Sequence, residues 1–162
     1  VRDYKGLLEV LPTLYAQLEA HPRMHLLIAG EIASPETKAW LKARPHPRVK
    51  VKDTFLGDRA LIQAMRAADL GLLSYSAILT SGSLAHWMTC GRPVLAPKMG
   101  TIPAYLVNGW NGLDYRDAHS LGERLALAAS LPAMELERMG QNALATARQM
   151  RWMMWSSSSF TE

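Results

Sequence analysis

The stretch Tyr75–Pro103, YSAILTSGSLAHWMTCGRPVLAPKMGTIP, lies in the middle of a repeated alternation of strands and helices. The run Leu70–Tyr75 has the length of an apolar strand, and Thr80–Ser83 places small polar residues before a helix predicted over Leu84–Cys90. The next apolar run is Val94–Ala96. A strand that enters a helix in this way leaves free backbone N–H groups at its carboxyl end, where α/β sheets bind anions such as phosphates.

The same alternation continues outward in both directions and predicts an α/β fold, a Rossmann-like parallel sheet with helices on both faces. Gly91 is expected to end the central helix, and residues 152–162, which are rich in serine, are expected to form a frayed end. The other predicted elements are helix Gly6–Ala20 with a kink at Pro12, strand His25–Gly30, a helix started by Ser34 and Pro35, strand Val49–Phe55, helix Ala60–Ala68 capped by Asp58, strand Asp69–Tyr75, strand Leu113–Tyr115, and helices Ser120–Leu131 and Met134–Met150.

Composition limits the classes of protein that this chain can belong to. The 162 residues are 49% hydrophobic, which is enough for one domain with a real core and argues against disorder. The net charge of +4 is carried by scattered residues, without the basic, aromatic-interleaved run typical of nucleic-acid binding. Cys90 is the one cysteine, so no internal disulfide can form, and we expect it to pack as a small hydrophobe. Five histidines show no metal-ligand spacing.

Six short motifs, in order, resemble the nucleotide-sugar half of retaining GT-B glycosyltransferases of family 4, the group 1 glycosyltransferases. The order and spacing of the six carry the resemblance, since each one alone is weak. They are RDYKGL at residues 2–7, LLIAG at 26–30, FLGD at 55–58 with MRAADL at 65–70, CGRPV at 90–94, GTIP at 100–103 and NGL at 111–113.

The resemblance implies a domain organisation. Residues 1–150 would form the donor-nucleotide-binding domain of a GT-B fold, and residues 151–162 would be a C-terminal tail. The family's domain begins with a strand that ends just before the Arg/Lys loop, whereas Val1 already lies inside that loop. We therefore expect this chain to be a fragment that lacks the first strand and the N-terminal acceptor domain, and to expose an apolar sheet edge by itself.

The resemblance also implies roles for individual residues. Lys5 and Arg2 would be the catalytic cations that stabilise the negative charge growing on the departing diphosphate. The donor would be bound by six further residues, of which Leu56 lines the base pocket and His86 meets a ribose hydroxyl. The donor-binding set is Leu56, Thr80, Ser81, Gly82, Ser83 and His86.

The largest departure from the family concerns two glutamates that many members carry eight positions apart. The corresponding residues here are Ile78 and His86, and the family's glutamate after the GTIP-like motif is Ala104. Some members replace this first pair with a TSG loop like Thr80–Gly82, so activity is compatible with the change. The missing carboxylates nevertheless motivate an alternative function.

We therefore interpret the chain as the donor-binding domain of a hexosyltransferase-type enzyme that moves a sugar from a nucleoside diphosphate sugar to a glycan, lipid or polysaccharide acceptor. Neither a cofactor nor a metal is expected, and the location would be the cytoplasm or the inner face of its membrane. The isolated fragment should be inactive. The alternatives are a degenerate GT-B half that binds nucleotide weakly or supports a partner chain, and, ranked last, a flavodoxin-like or receiver-type domain.

Overall fold

The computed structural model describes residues 6–74 and 81–158. Helices and strands alternate through most of the chain, as the sequence predicts. In chain order the elements are α1 (Gly6–Ala20), β1 (Leu26–Ala29), α2 (Pro35–Lys42), β2 (Val49–Lys52), α3 (Asp58–Ala67), β3 (Gly71–Leu72), α4 (Ser81–Thr89), β4 (Val94–Pro97), α5 (Ile102–Tyr105), β5 (Gly112–Tyr115), α6 (Ala118–Ser130) and α7 (Ala133–Ser158).

The strands of the described residues form two parallel sheets. One contains β1 and β2, with Leu26 beside Val49, and the other has the order β3-β4-β5. The predicted α/β fold with parallel pairing is confirmed. The division of the strands into two sheets differs from the single sheet that the sequence suggests.

Two hydrophobic cores lie on opposite faces of the strands, because successive side chains of a strand point to opposite sides. In β4, Leu95 belongs to the first core, while Val94 and Ala96 belong to the second. The first core is covered by α1, α2 and α6, and the second by α4 and α5, with α7 contributing Met139 to the first and Ala143 to the second. Helices therefore cover both faces of the β3-β4-β5 sheet.

Several predicted boundaries change. Asp58 does not cap its helix: Gly57 is the N-cap residue, with extended backbone, and Asp58 is already helical, where its carboxylate still favours the helix dipole. Ser81–Ser83 form the first turn of α4 and not a loop before it. The tail is helical as far as Ser158, because no glycine or proline interrupts it.

Other boundaries hold or shift little. α1 spans the predicted residues despite Pro12, and Ser34 caps α2 by accepting the N–H of Thr37. Strands β2 and β3 are shorter than predicted. Gly91 lies two residues after the end of α4 and has a φ of 69°, a left-handed conformation that glycine adopts easily.

Helix α7 is held close to the end of α4 by a glycine contact. Gly140 is buried, and a Cβ added there would lie 2.2 Å from the carbonyl oxygen of Gly91. Gly140 therefore lets the backbones of α7 and of the turn after α4 approach each other.

Replacing Gly140 by alanine should destabilise the domain by about 1–3 kcal/mol, because the backbone must shift to relieve the overlap with Gly91. Gly122→Ala in α6 is the matched control. Its new Cβ would meet no atom closer than 3.4 Å, so helix propensity should stabilise the fold by about 1 kcal/mol. Urea unfolding of both variants measures the difference. Equal effects in the two variants would contradict the close contact.

Candidate functional site

The N-terminal turn of α4 is the part of the predicted site that the structure describes best. It follows β3 in the chain and contains no acidic residue. Gly82 and His86 are exposed, and Ser83 is half-buried. Because residues three and four apart share one helix face, His86 lies on the same face as Gly82 and Ser83. The first N–H groups of a helix have no partner within it, so this turn can bind an anion even though it is not a loop.

The opposite face of α4 is anchored in the second core. Leu84 and Met88 are fully buried, and the ring of Trp87 covers Gly71 in β3 so closely that a Cβ there would lie 2.3 Å from it. Trp87 and Met88 are therefore packing residues. Cys90 packs beside Met65, with 3.9 Å between the two sulfur atoms.

Leu56 lies beyond the two-stranded sheet, in the segment between β2 and α3. Its side chain is half-buried, whereas the neighbouring Phe55 is 80% exposed. This segment follows the carboxyl end of β2. Because β1 and β2 are parallel, the carboxyl end of β1 lies at the same edge of the sheet. Leu56 and the α4 turn thus follow strand ends of two different sheets, and their predicted participation in one site remains a prediction.

Asp53 joins the segments that follow β1 and β2, a role that the sequence analysis missed. Its Oδ1 accepts the N–H of buried Ile32 at 2.8 Å, and its Oδ2 lies 3.1 Å from Nζ of Lys38. The backbone hydrogen bond, and then the contact with Lys38, lower the pKa of Asp53 below its usual value of 3.8. An acidic residue directly after a strand was the available signal.

A charged residue, Lys98, directly follows β4. Lys98 and Arg124 both approach the carboxylate of Asp114, at 4.0 Å and 3.9 Å respectively. The Arg124 side chain also donates to the backbone oxygen of Asp114 at 3.0 Å. Lys98 therefore places a partly exposed cation just past the carboxyl end of β4.

Several predicted residues lie outside the described residues: Arg2, Lys5, Ile78 and Thr80. Their roles stay predictions from the resemblance. Ser81 is described as the first residue of α4, without its side chain.

Within residues 6–74 and 81–158, no group of three or more His, Cys, Asp or Glu side chains is arranged to hold a metal ion. None of the helices in that part of the chain combines the length and the apolar character needed to span a bilayer.

The architecture is the Rossmann-like half of a GT-B fold, as comparison with solved structures shows. Anabaena HepE in complex with UDP and glucose superposes with a TM-score of 0.70 at 21% identity, over 94% of this chain and 45% of that one. The C-terminal domain of a glycosyl transferase group 1 family protein from Francisella tularensis gives a TM-score of 0.71 at 19% identity, over 93% of this chain and 82% of that one.

Sequence comparison gives the family. The profile of the glycosyl transferases group 1 matches residues 1–130, and the chain belongs to that family. A curated relative, GDP-mannose:glycolipid 4-beta-D-mannosyltransferase of Xanthomonas campestris pv. campestris, is 29% identical over 99 residues, which are 60% of this chain and 28% of the relative. The chain thus spans less than half of that enzyme and of HepE.

The lowered pKa of Asp53 predicts a pH-dependent stability. A carboxylate whose pKa is depressed by folding stabilises the fold above about pH 4, and that contribution is lost as the pH falls further. Asp53→Asn should therefore lower the free energy of unfolding at pH 7 and flatten its decline in acid. Urea melts at pH 7, 4 and 3 measure both quantities.

Lys38→Met is the control for this prediction, because it removes the contact with Lys38 and keeps the hydrogen bond from Ile32, the largest single cause of the pKa shift. Its acid dependence should stay closer to that of the unmodified protein. An Asp53→Asn variant with an unchanged pH profile would show that the carboxylate does not tie the two segments together.

Proposed function

We propose that this chain is the donor-binding half of a retaining glycosyltransferase, which moves a sugar from a nucleoside diphosphate sugar to a glycan, lipid or polysaccharide acceptor. The exposed first turn of α4, which follows β3 and carries no acidic side chain, is the observation that supports it most. The crystal structure of HepE contains UDP and glucose, which is consistent with a diphosphate ligand for the shared fold.

The chemistry of glycosyl transfer explains why such a turn is useful. The donor leaves as a nucleoside diphosphate, so negative charge grows on the phosphate oxygens in the transition state. Preorganised N–H groups and the positive end of the α4 dipole stabilise that charge without reorganising. In this proposal Lys5 and Arg2 add two cations to the same oxygens, and Lys98 supplies a third positive group near the end of β4.

The remaining parts of the reaction lie elsewhere. An N-terminal GT-B domain binds the acceptor and supplies the groups that contact it. Side chains and amides neutralise the diphosphate in this scheme, which requires no metal ion. We place the reaction in the cytoplasm or at the inner face of its membrane, because an unpaired Cys90 suits a reducing compartment.

A second candidate function is a degenerate half that binds nucleotide weakly or supports a partner chain. The replacement of the family glutamates by Ile78, His86 and Ala104 favours it. His86 is exposed on the face that also carries Gly82, so its imidazole can still meet a ribose hydroxyl. Nucleotide affinity and turnover of the full-length protein distinguish the two functions.

The full-length protein should bind a nucleoside diphosphate more tightly than the matching monophosphate, because the proposed contacts are made mainly to phosphates. Calorimetric titration with UDP, GDP and ADP, each against its monophosphate, measures the difference and identifies the base. Equal affinities within each pair would contradict a diphosphate site.

Lys5→Ala in the full-length enzyme should lower turnover more than it weakens donor binding, because a cation that meets growing charge acts chiefly in the transition state. The loss of one charge-assisted contact, about 1.5–3 kcal/mol, corresponds to roughly ten- to a hundred-fold in rate. Steady-state kinetics beside donor titration separate the two effects. Unchanged kinetics would remove Lys5 from the site.

Gly82→Val should abolish nucleotide binding and leave the fold largely intact. A Cβ at Gly82 has no atom within 4 Å, so the domain has room for the side chain, whereas a diphosphate on the turn does not. Gly82→Ala is the graded control and should weaken binding less. Thermal melting and nucleotide titration of the same samples decide, and retained affinity with a lower melting temperature would reject the proposed phosphate turn.

A further inference from the structure

The parallel ladder between β3 and β4 lacks one donor where it reaches the carboxyl end of β4. The N–H of Gly71 donates to the carbonyl of Pro93 at 3.0 Å. The N–H of Leu73 donates to that of Leu95 at 2.9 Å, so every second residue of this segment faces β3. The next residue in that series is Pro97, whose nitrogen carries no hydrogen. Pro97 therefore cannot supply the backbone donor that the ladder would bring to the carbonyl of Leu73.

A tyrosine hydroxyl takes the place of this donor. Tyr115, the last residue of β5, donates its O–H to the carbonyl of Leu73 at 2.8 Å, although β4 lies between the two strands. The Tyr115 side chain is almost completely buried in the first core, so packing fixes the ring. A buried carbonyl that loses its donor costs the full desolvation of that group, so the hydroxyl stabilises the end of β3.

The same tyrosine joins three strand ends at the edge where the candidate site lies. The backbone oxygen of Tyr115 accepts the N–H of Lys98, just past β4, at 2.7 Å. Its hydroxyl holds the end of β3, and its own main chain ends β5. Because β3, β4 and β5 are parallel, the three ends lie at the carboxyl edge of one sheet. The chain continues from this edge, at the end of β3, toward α4.

Leu73 connects this edge to the proposed phosphate turn. Its side chain is buried in the second core together with Leu84, which lies one turn into α4. Gly71, two residues before Leu73, lies under the ring of Trp87 from the same helix. A displacement of the end of β3 would therefore move the surface on which α4 packs, and with it the exposed turn that contains Gly82.

We propose that Tyr115 is a positioning residue for the donor site. Its hydroxyl replaces the backbone donor that Pro97 cannot provide, and so keeps the end of β3 where the first turn of α4 can bind a diphosphate. This inference rests on the proposed function. Tyr115 makes no contact with the donor in this scheme, because its side chain is almost completely buried. The hydroxyl acts through the carbonyl of Leu73, so another donor placed at that carbonyl should replace it.

Tyr115→Phe in the full-length protein removes the hydroxyl and keeps the ring. Calorimetric titration with UDP, GDP and ADP should show about tenfold weaker binding of the nucleotide that the unmodified protein binds, because only a fraction of the molecules then has the strand end in place. Hydrogen exchange at the Leu73 amide should accelerate. Tyr15→Phe is the matched control. It removes a tyrosine hydroxyl that donates to the carbonyl of Arg44 at 3.0 Å, before β2, and should change neither quantity.

Pro97→Ala on the Tyr115→Phe background returns a backbone N–H to the position opposite Leu73. This double variant should regain most of the lost affinity, and the amide introduced at position 97 should exchange slowly; the same rescue is expected if Tyr115→Phe alone does not fold. Unchanged affinity in Tyr115→Phe overturns the proposal, even with faster exchange at Leu73. A double variant that folds without regaining affinity also overturns it. An unmodified protein that binds none of the three nucleotides overturns the proposed function, and this inference with it.

Discussion

Strand β4 is the constraint on which the described structure depends. Val94, Leu95 and Ala96 are all fully buried, and the strand is hydrogen-bonded to β3 on one edge and to β5 on the other. Parallel strands need both faces covered, because their connections return over the sheet. The two hydrophobic cores meet at this strand, and removing either core would expose an apolar surface that only helices can bury.

The exposure of the N-terminal turn of α4 is a consequence of this packing. Leu84 and Met88 attach the helix to the second core, the Trp87 ring lies over Gly71, and the turn at Gly91 meets Gly140 of α7. These contacts involve one face and the C-terminal end of the helix. The N-terminal turn remains exposed at Gly82, so the nine residues of α4 combine a buried, packed face with an accessible candidate site.

The sequence predicted the order and type of most elements because apolar periodicity and glycine positions are local signals. Ser34 caps α2, as expected, and Gly91, which was expected to end the central helix, lies two residues after α4 with a positive φ. The prediction that Asp58 caps α3 was wrong. Aspartate is favourable both at the N-cap and in the first turn of a helix, and only the extended backbone at Gly57 shows which of these positions Asp58 occupies. The role of Asp53 was missed because its partners, Ile32 and Lys38, are distant in sequence.

By itself, the sequence determined the α/β class, the family and the placement of small polar residues at the start of α4, since these depend on residue type and spacing along the chain. Only the tertiary structure decided that Trp87 faces Gly71, that Gly82 and His86 share an exposed face, and that the strands divide into two sheets. Those features depend on which elements pack against one another. Hydrophobic burial and backbone pairing act between residues far apart in the chain, so no local pattern contains them.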